Sequence, residues 1–153
     1  YDPYVKKEKV KISGAIPVNN ISENLPKMDA VTLHCPKNDE TTDLFTKKEF
    51  DLMKKSSFII NCARGGILNE EDLYEALINK KIAGAGLDVF DIEPTPSSNP
   101  LFKLNNVILS PHIAGVTVES TVRMATETVQ NVLDVLDDKI NQSVVVNNKE
   151  IGM

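Results

Sequence analysis

Ser57-Phe-Ile-Ile-Asn-Cys-Ala-Arg-Gly-Gly-Ile67 decides how the chain folds, because an apolar run suited to a buried parallel strand delivers one arginine into a two-glycine turn. Asn69 follows as a good N-cap, and Glu70, Glu71 and Asp72 suit the positive end of a helix dipole. In open α/β sheets the carboxyl edge of the strands is where ligands bind. Arg64 stands at that edge with a planar fork of donors that can grip a carboxylate in two places. Read alone, the stretch fits a solvent-facing loop arginine equally well.

Working outward, Leu68 and Leu73 fall at hydrophobic-staple spacing, which predicts a helix from Glu70 to about Asn79. Upstream, Thr46-Lys-Lys-Glu49 has capping-box spacing and predicts a helix from Lys47 to about Lys55 that buries Phe50 and Met53. Ala30-Val-Thr-Leu-His-Cys35 reads as a strand stopped by Pro36. Ser22 is expected to cap a short helix running to Met28, with Leu25 and Met28 facing inward. Ala15-Ile-Pro-Val18 reads as a short strand that Pro17 confines to an edge or a strand end. Downstream, Ala83-Gly-Ala-Gly-Leu-Asp-Val-Phe90 and Val107-Ile-Leu-Ser110 are two further strands. Val118, Val122, Ala125, Val129, Val132, Leu133 and Leu136 recur at three- and four-residue steps, one face of a long helix. Strands alternating with helices predict an α/β fold with a doubly wound parallel sheet. No Gly-x-Gly-x-x-Gly phosphate loop is present, which taken alone argues against a dinucleotide site.

The 153 residues, 41% hydrophobic and 25% charged, suffice for one domain with a full core. A net charge of −5 with scattered lysines gives no basic stripe, so nucleic acid is not expected as a partner. No apolar run approaches the roughly 20 residues that span a bilayer, and no secretory layout opens the chain, so membrane partners are not expected and the location is read as cytoplasmic. Cys35 and Cys62 form no CxxC, and the two histidines lie far apart, so there is no zinc-ligand spacing and no metal is expected. Both thiols read as small buried residues in a reducing compartment.

Three polar groups follow three consecutive predicted strands: Arg64, Glu93 and His112. In a parallel sheet these ends share one edge. Such a trio suits reduction of a 2-oxo acid: the arginine holds the carboxylate and polarises the adjacent carbonyl, the histidine supplies a proton, and the glutamate stabilises the imidazolium. Each residue alone also fits a structural or solvated role.

Asn61-Cys-Ala-Arg-Gly-Gly66, Gly86-Leu-Asp-Val-Phe90 leading to Glu93-Pro94, and Ser110-Pro-His-Ile-Ala-Gly115 together resemble the D-isomer-specific 2-hydroxyacid dehydrogenases. The Cys-Ala-Arg form is most similar to their phosphoglycerate dehydrogenase branch. The resemblance implies Arg64 as substrate binder, Glu93 as histidine partner and His112 as proton donor. For NAD it implies Asp2 on the adenosine ribose, Cys35 and Pro36 beside the adenine and its ribose, Cys62, Ala63, Arg64 and Asp88 near the nicotinamide, and His112, Ala114 and Gly115 closing that end. A carboxylate at Asp2 favours NAD over NADP, since it would repel a 2′-phosphate.

The implied substrate is a small D-2-hydroxy acid or its 2-oxo acid, 3-phosphoglycerate by resemblance, with glyoxylate, hydroxypyruvate and lactate as alternatives. An NAD(H)-sensing module of the corepressor kind resembles the same family. The resemblance further implies a Rossmann-like sheet that is incomplete, with the first strand, its glycine-rich loop and most of the second strand absent and a third strand lacking neighbours. It implies a partial NAD-binding domain over 1–138, a tail over 139–153 returning towards a substrate domain, and a homodimer formed through the cofactor domain. A chain so cut is expected to be inactive by itself and to bind no NAD.

Overall fold

The computed structural model describes residues 1–147 and 150. They fall into two compact units, Tyr1–Ala114 and Gly115–Met153. The first is built on four parallel strands, β1 (Ala30–Leu33), β2 (Phe58–Asn61), β3 (Gly84–Leu87) and β4 (Val107–Leu109), in the spatial order β1-β2-β3-β4. The register runs through Leu33↔Asn61, Asn61↔Leu87 and Leu87↔Leu109, so all four strands end at one edge. This is the parallel α/β arrangement expected from the alternation of patterns.

Helix α2 (Lys47–Leu52) lies in the crossover from β1 to β2, and α3 (Glu70–Ile78) in the crossover from β2 to β3. Both ends that the sequence marks are capped as expected. The Glu49 carboxylate accepts from the N–H of Thr46 at 3.1 Å and from its hydroxyl at 2.8 Å, and Asn69 accepts from the N–H of Asp72 at 3.1 Å. Leu68 and Leu73 are buried together in the core. Alternation along the strands sends Leu33, Ile59, Ala85 and Leu87 to the same cluster as Phe50, Met53, Leu73 and Leu77 from the two helices. Ile59 is fully buried; burial of a side chain of that size contributes roughly 1.5–3 kcal/mol. Opposite phases of the same strands leave Phe58 and Ile108 exposed.

Several expectations are corrected. Residues 15–18 form no strand: Pro17 has no N–H to give a ladder, and Ile16 is exposed with no surface to bury it. The neighbourless third strand implied by the resemblance is therefore not found there, and β1 is an edge of the described sheet. The helix from Ser22 is replaced by turns and a 3-10 segment at Leu25–Lys27, started by Asn20, whose side chain accepts from the N–H of Ser22 at 2.9 Å. Leu25 is buried, but Met28 is exposed because the chain turns extended there, with ψ 140. Helix α2 stops at Leu52 rather than Lys55, since Met53 is already extended at ψ 156. A short helix not anticipated, α1 (Lys7–Ile12), has no buried residue.

In the second unit, α4 (Val118–Leu136) is the long helix expected. Thr117 and Ser120 cap it reciprocally, each side-chain oxygen accepting from the other's N–H, at 3.1 and 2.8 Å. None of its residues is buried. No helix among the described residues is long and apolar enough to cross a membrane. Residues 148, 149 and 151–153 of the expected tail lie outside the described residues.

Candidate active site

The strand ends are tied to one another before any side chain is considered. Asp88 N–H donates to the Asn61 carbonyl at 3.0 Å, Ser110 N–H to that of Leu87 at 2.9 Å, and His112 N–H to that of Asp88 at 2.7 Å. His112 takes a left-handed backbone, φ 56°. What keeps it there is Asp88, which is buried. Its Oδ1 accepts from the Ser110 hydroxyl at 2.6 Å and the Ile113 N–H at 2.9 Å, and its Oδ2 from the Ala114 N–H at 2.9 Å. Burial pushes the Asp88 carboxyl up, but the bonds from Ser110, Ala114 and Ile113 and the His112 charge outweigh it and hold the group below its ordinary value. The carboxylate thus organises the loop that carries His112.

His112 and Glu93 are brought together as expected. His112 Nδ1 lies 2.8 Å from Glu93 Oε2, and Glu93 Oε1 accepts from the Phe90 N–H at 2.9 Å. The His112 hydrogen bond first, then that of Phe90, holds the Glu93 carboxyl below its ordinary value, against a smaller push from burial. A carboxylate can only accept, so Nδ1 carries a hydrogen and Nε2 is left to exchange a proton. The pair borders a cavity of about 690 Å³ whose other walls include Phe90, Pro94, Phe102 and Leu109.

Arg64 is placed differently. Its guanidinium donates to the Ala63 carbonyl at 2.6 Å, and it lines a separate cleft of about 550 Å³ with His34, Cys35, Pro36, Lys37, Cys62 and Ala63. The two loops nevertheless touch. Gly65, directly after Arg64, packs so closely on the Phe90 carbonyl that a β-carbon there would collide with it, and the same Phe90 holds Glu93 through its N–H. Asn61 completes the setting: buried at the end of β2, it donates to the Arg64 carbonyl at 2.9 Å and accepts from the Ala63 N–H at 3.0 Å.

Asn61, Gly65 and Ser110 were not singled out from the sequence. Asn61 could have been: in phase with Ile59 along the strand, it had to be buried and so had to be hydrogen-bonded. His34 and Lys37, in no motif of the sequence, also line the cleft, and His34 Nε2 is 2.8 Å from the Thr32 hydroxyl.

The cysteines need a correction. Cys62 is exposed, because Asn61 is the last strand residue and the thiol lies past the covered part of the sheet; Cys35 is half-buried against the core. Pro36 opens the loop whose Thr41 hydroxyl donates back to its carbonyl at 2.6 Å. Asp2 is linked to that loop indirectly, through a hydrogen bond from the Tyr4 hydroxyl to Glu40, while its Oδ1 accepts from the N–H groups of Tyr4 and Val5 at 2.9 and 3.0 Å. Ala114 belongs to the Asp88 loop. Gly115 opens the second unit, where its carbonyl accepts from the Ser120 hydroxyl at 2.8 Å.

Residues 1–114 match the profile of the D-isomer specific 2-hydroxyacid dehydrogenase, NAD binding domain. The chain is 41% identical over 145 residues to a D-3-phosphoglycerate dehydrogenase of Methanocaldococcus jannaschii, covering 95% of this chain and 28% of that protein. It is 42% identical over 127 residues to a glyoxylate reductase of Thermofilum pendens, covering 83% of this chain and 37% of that one. Its fold superposes with a TM-score of 0.80 on a D-isomer specific 2-hydroxyacid dehydrogenase from Lactobacillus delbrueckii ssp. bulgaricus in an NAD-complexed form, at 28% identity, over 95% of this chain and 47% of that one. The chain thus spans less than half the length of these relatives.

Proposed function

Because the chain belongs to the D-isomer specific 2-hydroxyacid dehydrogenases, as part of their NAD-binding domain, we propose that the protein interconverts a small D-2-hydroxy acid and its 2-oxo acid, with 3-phosphoglycerate as the leading substrate. The observation that carries this reading is the 2.8 Å pair of His112 and Glu93 at the carboxyl edge of the sheet. Bound NAD supplies the hydride acceptor or donor. The cleft of His34–Lys37 and Cys62–Arg64 contains no acidic side chain, which suits a cofactor that carries negative charge. Cys35, Pro36, Cys62 and Ala63 would line it, and Asp2 would meet the ribose hydroxyls. Asp2 Oδ1 is already engaged by two N–H groups, and its Oδ2 takes no hydrogen bond from the described residues.

The residues of the chain divide the remaining work. Arg64 holds the substrate carboxylate with its planar fork and polarises the neighbouring carbonyl. His112 Nε2 removes the hydroxyl proton in the oxidative direction and returns it in the reductive one. Glu93, fixed by the Phe90 N–H, keeps the ring in one tautomer and stabilises the imidazolium. We place the reaction in the cytoplasm, in keeping with two unpaired thiols. We also propose a homodimer formed through the cofactor domain, which light scattering of the full-length protein at micromolar concentration reads directly; a monomer there would rule it out.

The test is His112→Ala in the full-length protein, assayed with NADH against 3-phosphohydroxypyruvate, glyoxylate, hydroxypyruvate and pyruvate. Turnover should fall on the order of 10²–10⁴-fold. Ordinary rates in the variant would refute the proton role. A wild-type protein that bound NADH yet reduced none of the four would be a sensor.

A further inference from the structure

Three acidic residues, Glu70, Glu71 and Asp72, open α3, and two of them hold other parts of the chain. Asp72 Oδ2 accepts from the Lys47 N–H at 2.8 Å and so joins α3 to the start of α2. Glu70 turns towards the next strand end. Its Oε1 accepts from the Asp91 N–H at 2.6 Å, and its Oε2 from the Asn99 side-chain amide at 3.0 Å. Those donors stand at the two ends of the loop over residues 91–99 that carries Glu93, so one half-buried carboxylate closes the loop at its neck. Each end leads to the pair of Glu93 and His112. At the first, Asp91 follows directly on Phe90, whose own N–H holds Glu93 Oε1 at 2.9 Å. At the second, Asn99 accepts from the Leu101 N–H at 3.0 Å and starts the 3-10 segment Pro100–Lys103. There Leu101 is fully buried, and the Phe102 ring meets that of Phe90 edge-on at 5.9 Å. The Asp91 amide also lies against Gly65: a β-carbon on that glycine would come within 2.8 Å of its nitrogen. Helix α3, the turn after Arg64 and the Glu93 loop therefore meet at one backbone N–H. The loop carries two carboxylates of its own, Asp91 and Glu93, so a third acid at its neck works against like charge. Hydrogen bonds to a carboxylate are strong enough to offset that.

Resting on the dehydrogenase reading above, we infer that Glu70 is a positioning residue for the reaction: by clasping the loop at Asp91 and Asn99 it sets the distance of Glu93 from the His112 imidazole. It acts through Glu93 and touches no reacting atom. Without it the Asp91 amide and the Asn99 side chain turn to water, the loop widens, and Glu93 no longer meets His112 Nδ1 at 2.8 Å. A role confined to the helix start would leave Glu93 in place, because Asn69 caps α3 independently, accepting from the Asp72 N–H at 3.1 Å.

The experiment compares Glu70→Ala and Glu70→Gln with wild type in the full-length protein. The first readout is the carboxyl carbon NMR midpoint of Glu93, measured without substrate. In wild type it lies below the ordinary 4.5, chiefly through the His112 hydrogen bond and next through that of Phe90, against burial and the Asp88 charge. Glu70→Ala should bring it back up towards 4.5. Glu70→Gln, whose carbonyl still accepts the Asp91 N–H, should leave it near the wild-type value. The second readout is NADH-dependent reduction of 3-phosphohydroxypyruvate, glyoxylate, hydroxypyruvate and pyruvate. On whichever acid the wild type reduces, kcat should fall roughly 10- to 100-fold in Glu70→Ala, the scale of a misplacement of about 1 Å, and recover most of that loss in Glu70→Gln. NADH affinity should stay within about threefold in both, since Glu70 lies outside the cleft of residues 34–37 and 62–64. Asn99→Ala removes the far end of the clasp and leaves the start of α3 untouched; it should move the Glu93 midpoint the same way, and it decides the matter if Glu70→Ala does not fold. A lowered Tm with wild-type kcat and an unmoved Glu93 midpoint would make Glu70 a brace of the fold only, and a glutamine variant as impaired as the alanine one would show that the clasp is not made by hydrogen-bond acceptance; both overturn the inference. A wild type that reduces none of the four acids would bring down the dehydrogenase reading and the reaction that Glu70 serves, whereas an unmoved midpoint in a protein that does reduce one overturns this inference alone.

Discussion

Replacing Asp88 with alanine removes the acceptor for three donors at once: the Ser110 hydroxyl at 2.6 Å and the N–H groups of Ile113 and Ala114, each at 2.9 Å. A hydrogen bond to a charged group contributes about 1.5–3 kcal/mol when its donor stays buried after the change. Here Ile113 and Ala114 are exposed, so water takes over their amides once released, and about 1 kcal/mol apiece is the fitting value, ~3 kcal/mol in all. In a domain of about 150–250 residues that corresponds to a fall in Tm of roughly 6–12 °C. Asp88→Asn should be milder, at about 1–2 kcal/mol, because its carbonyl keeps part of the set while its NH₂ is turned towards a donor.

The pH dependence has a definite sign. The folded-state pKa of Asp88 lies below the ordinary 3.8, since the hydrogen bonds from Ser110, Ala114 and Ile113 and the His112 charge outweigh burial. Its stabilisation is therefore complete above 3.8 and is lost only as pH falls through the lower folded value. Thermal unfolding of the full-length wild type and Asp88→Ala, followed by circular dichroism, should show a gap that persists from about pH 5 to pH 8 and closes only in strong acid. Turnover of the variant should fall as well, because His112 lies inside the released loop. A wild-type Tm in Asp88→Ala, or a gap that disappears between those two pH values, would refute the reasoning.

Gly65→Ala places a methyl group against the Phe90 carbonyl and the Asp91 N–H, both backbone, so the loops of Arg64 and Glu93 must separate. A loss of roughly 1–3 kcal/mol in urea unfolding together with reduced kcat is expected, and a neutral substitution would show that the two loops do not need each other. Glu93 should titrate below its ordinary 4.5, with the His112 hydrogen bond as the main cause. Its contribution to stability is present above 4.5 and disappears as pH falls through the lower folded value. Carboxyl carbon NMR reads this directly: the midpoint should move back up in His112→Ala, and a wild-type midpoint at or above 4.5 would contradict the pair.

Much of the fold could be read from local chemistry. Strand β2, the caps at Thr46 and Asn69, and the staple of Leu68 and Leu73 are all short-range relations that hold wherever the rest of the chain goes. Glu93 and His112 were legible as a pair because strand ends in a parallel sheet share an edge. What could not be read depended on partners distant in sequence. An aspartate in an apolar run does not reveal whether its carboxylate meets a ligand or, as Asp88 does, the backbone of residues 25 and 26 positions further on. The tight contact of Gly65 with Phe90, the exposure of Cys62 and Met28, and the absence of a strand at 15–18 are likewise matters of what stands opposite. Periodicity and turn chemistry carry no information about that.

The left-handed backbone of His112, φ 56°, is a posture that a residue with a β-carbon gives up roughly 1–2 kcal/mol to adopt. The three bonds to Asp88 offset that strain, together with the bond from the His112 N–H to the Asp88 carbonyl at 2.7 Å. The imidazole is therefore aimed from behind as well as through Glu93: Ser110 and the amides of Ile113 and Ala114 fix the backbone that carries it.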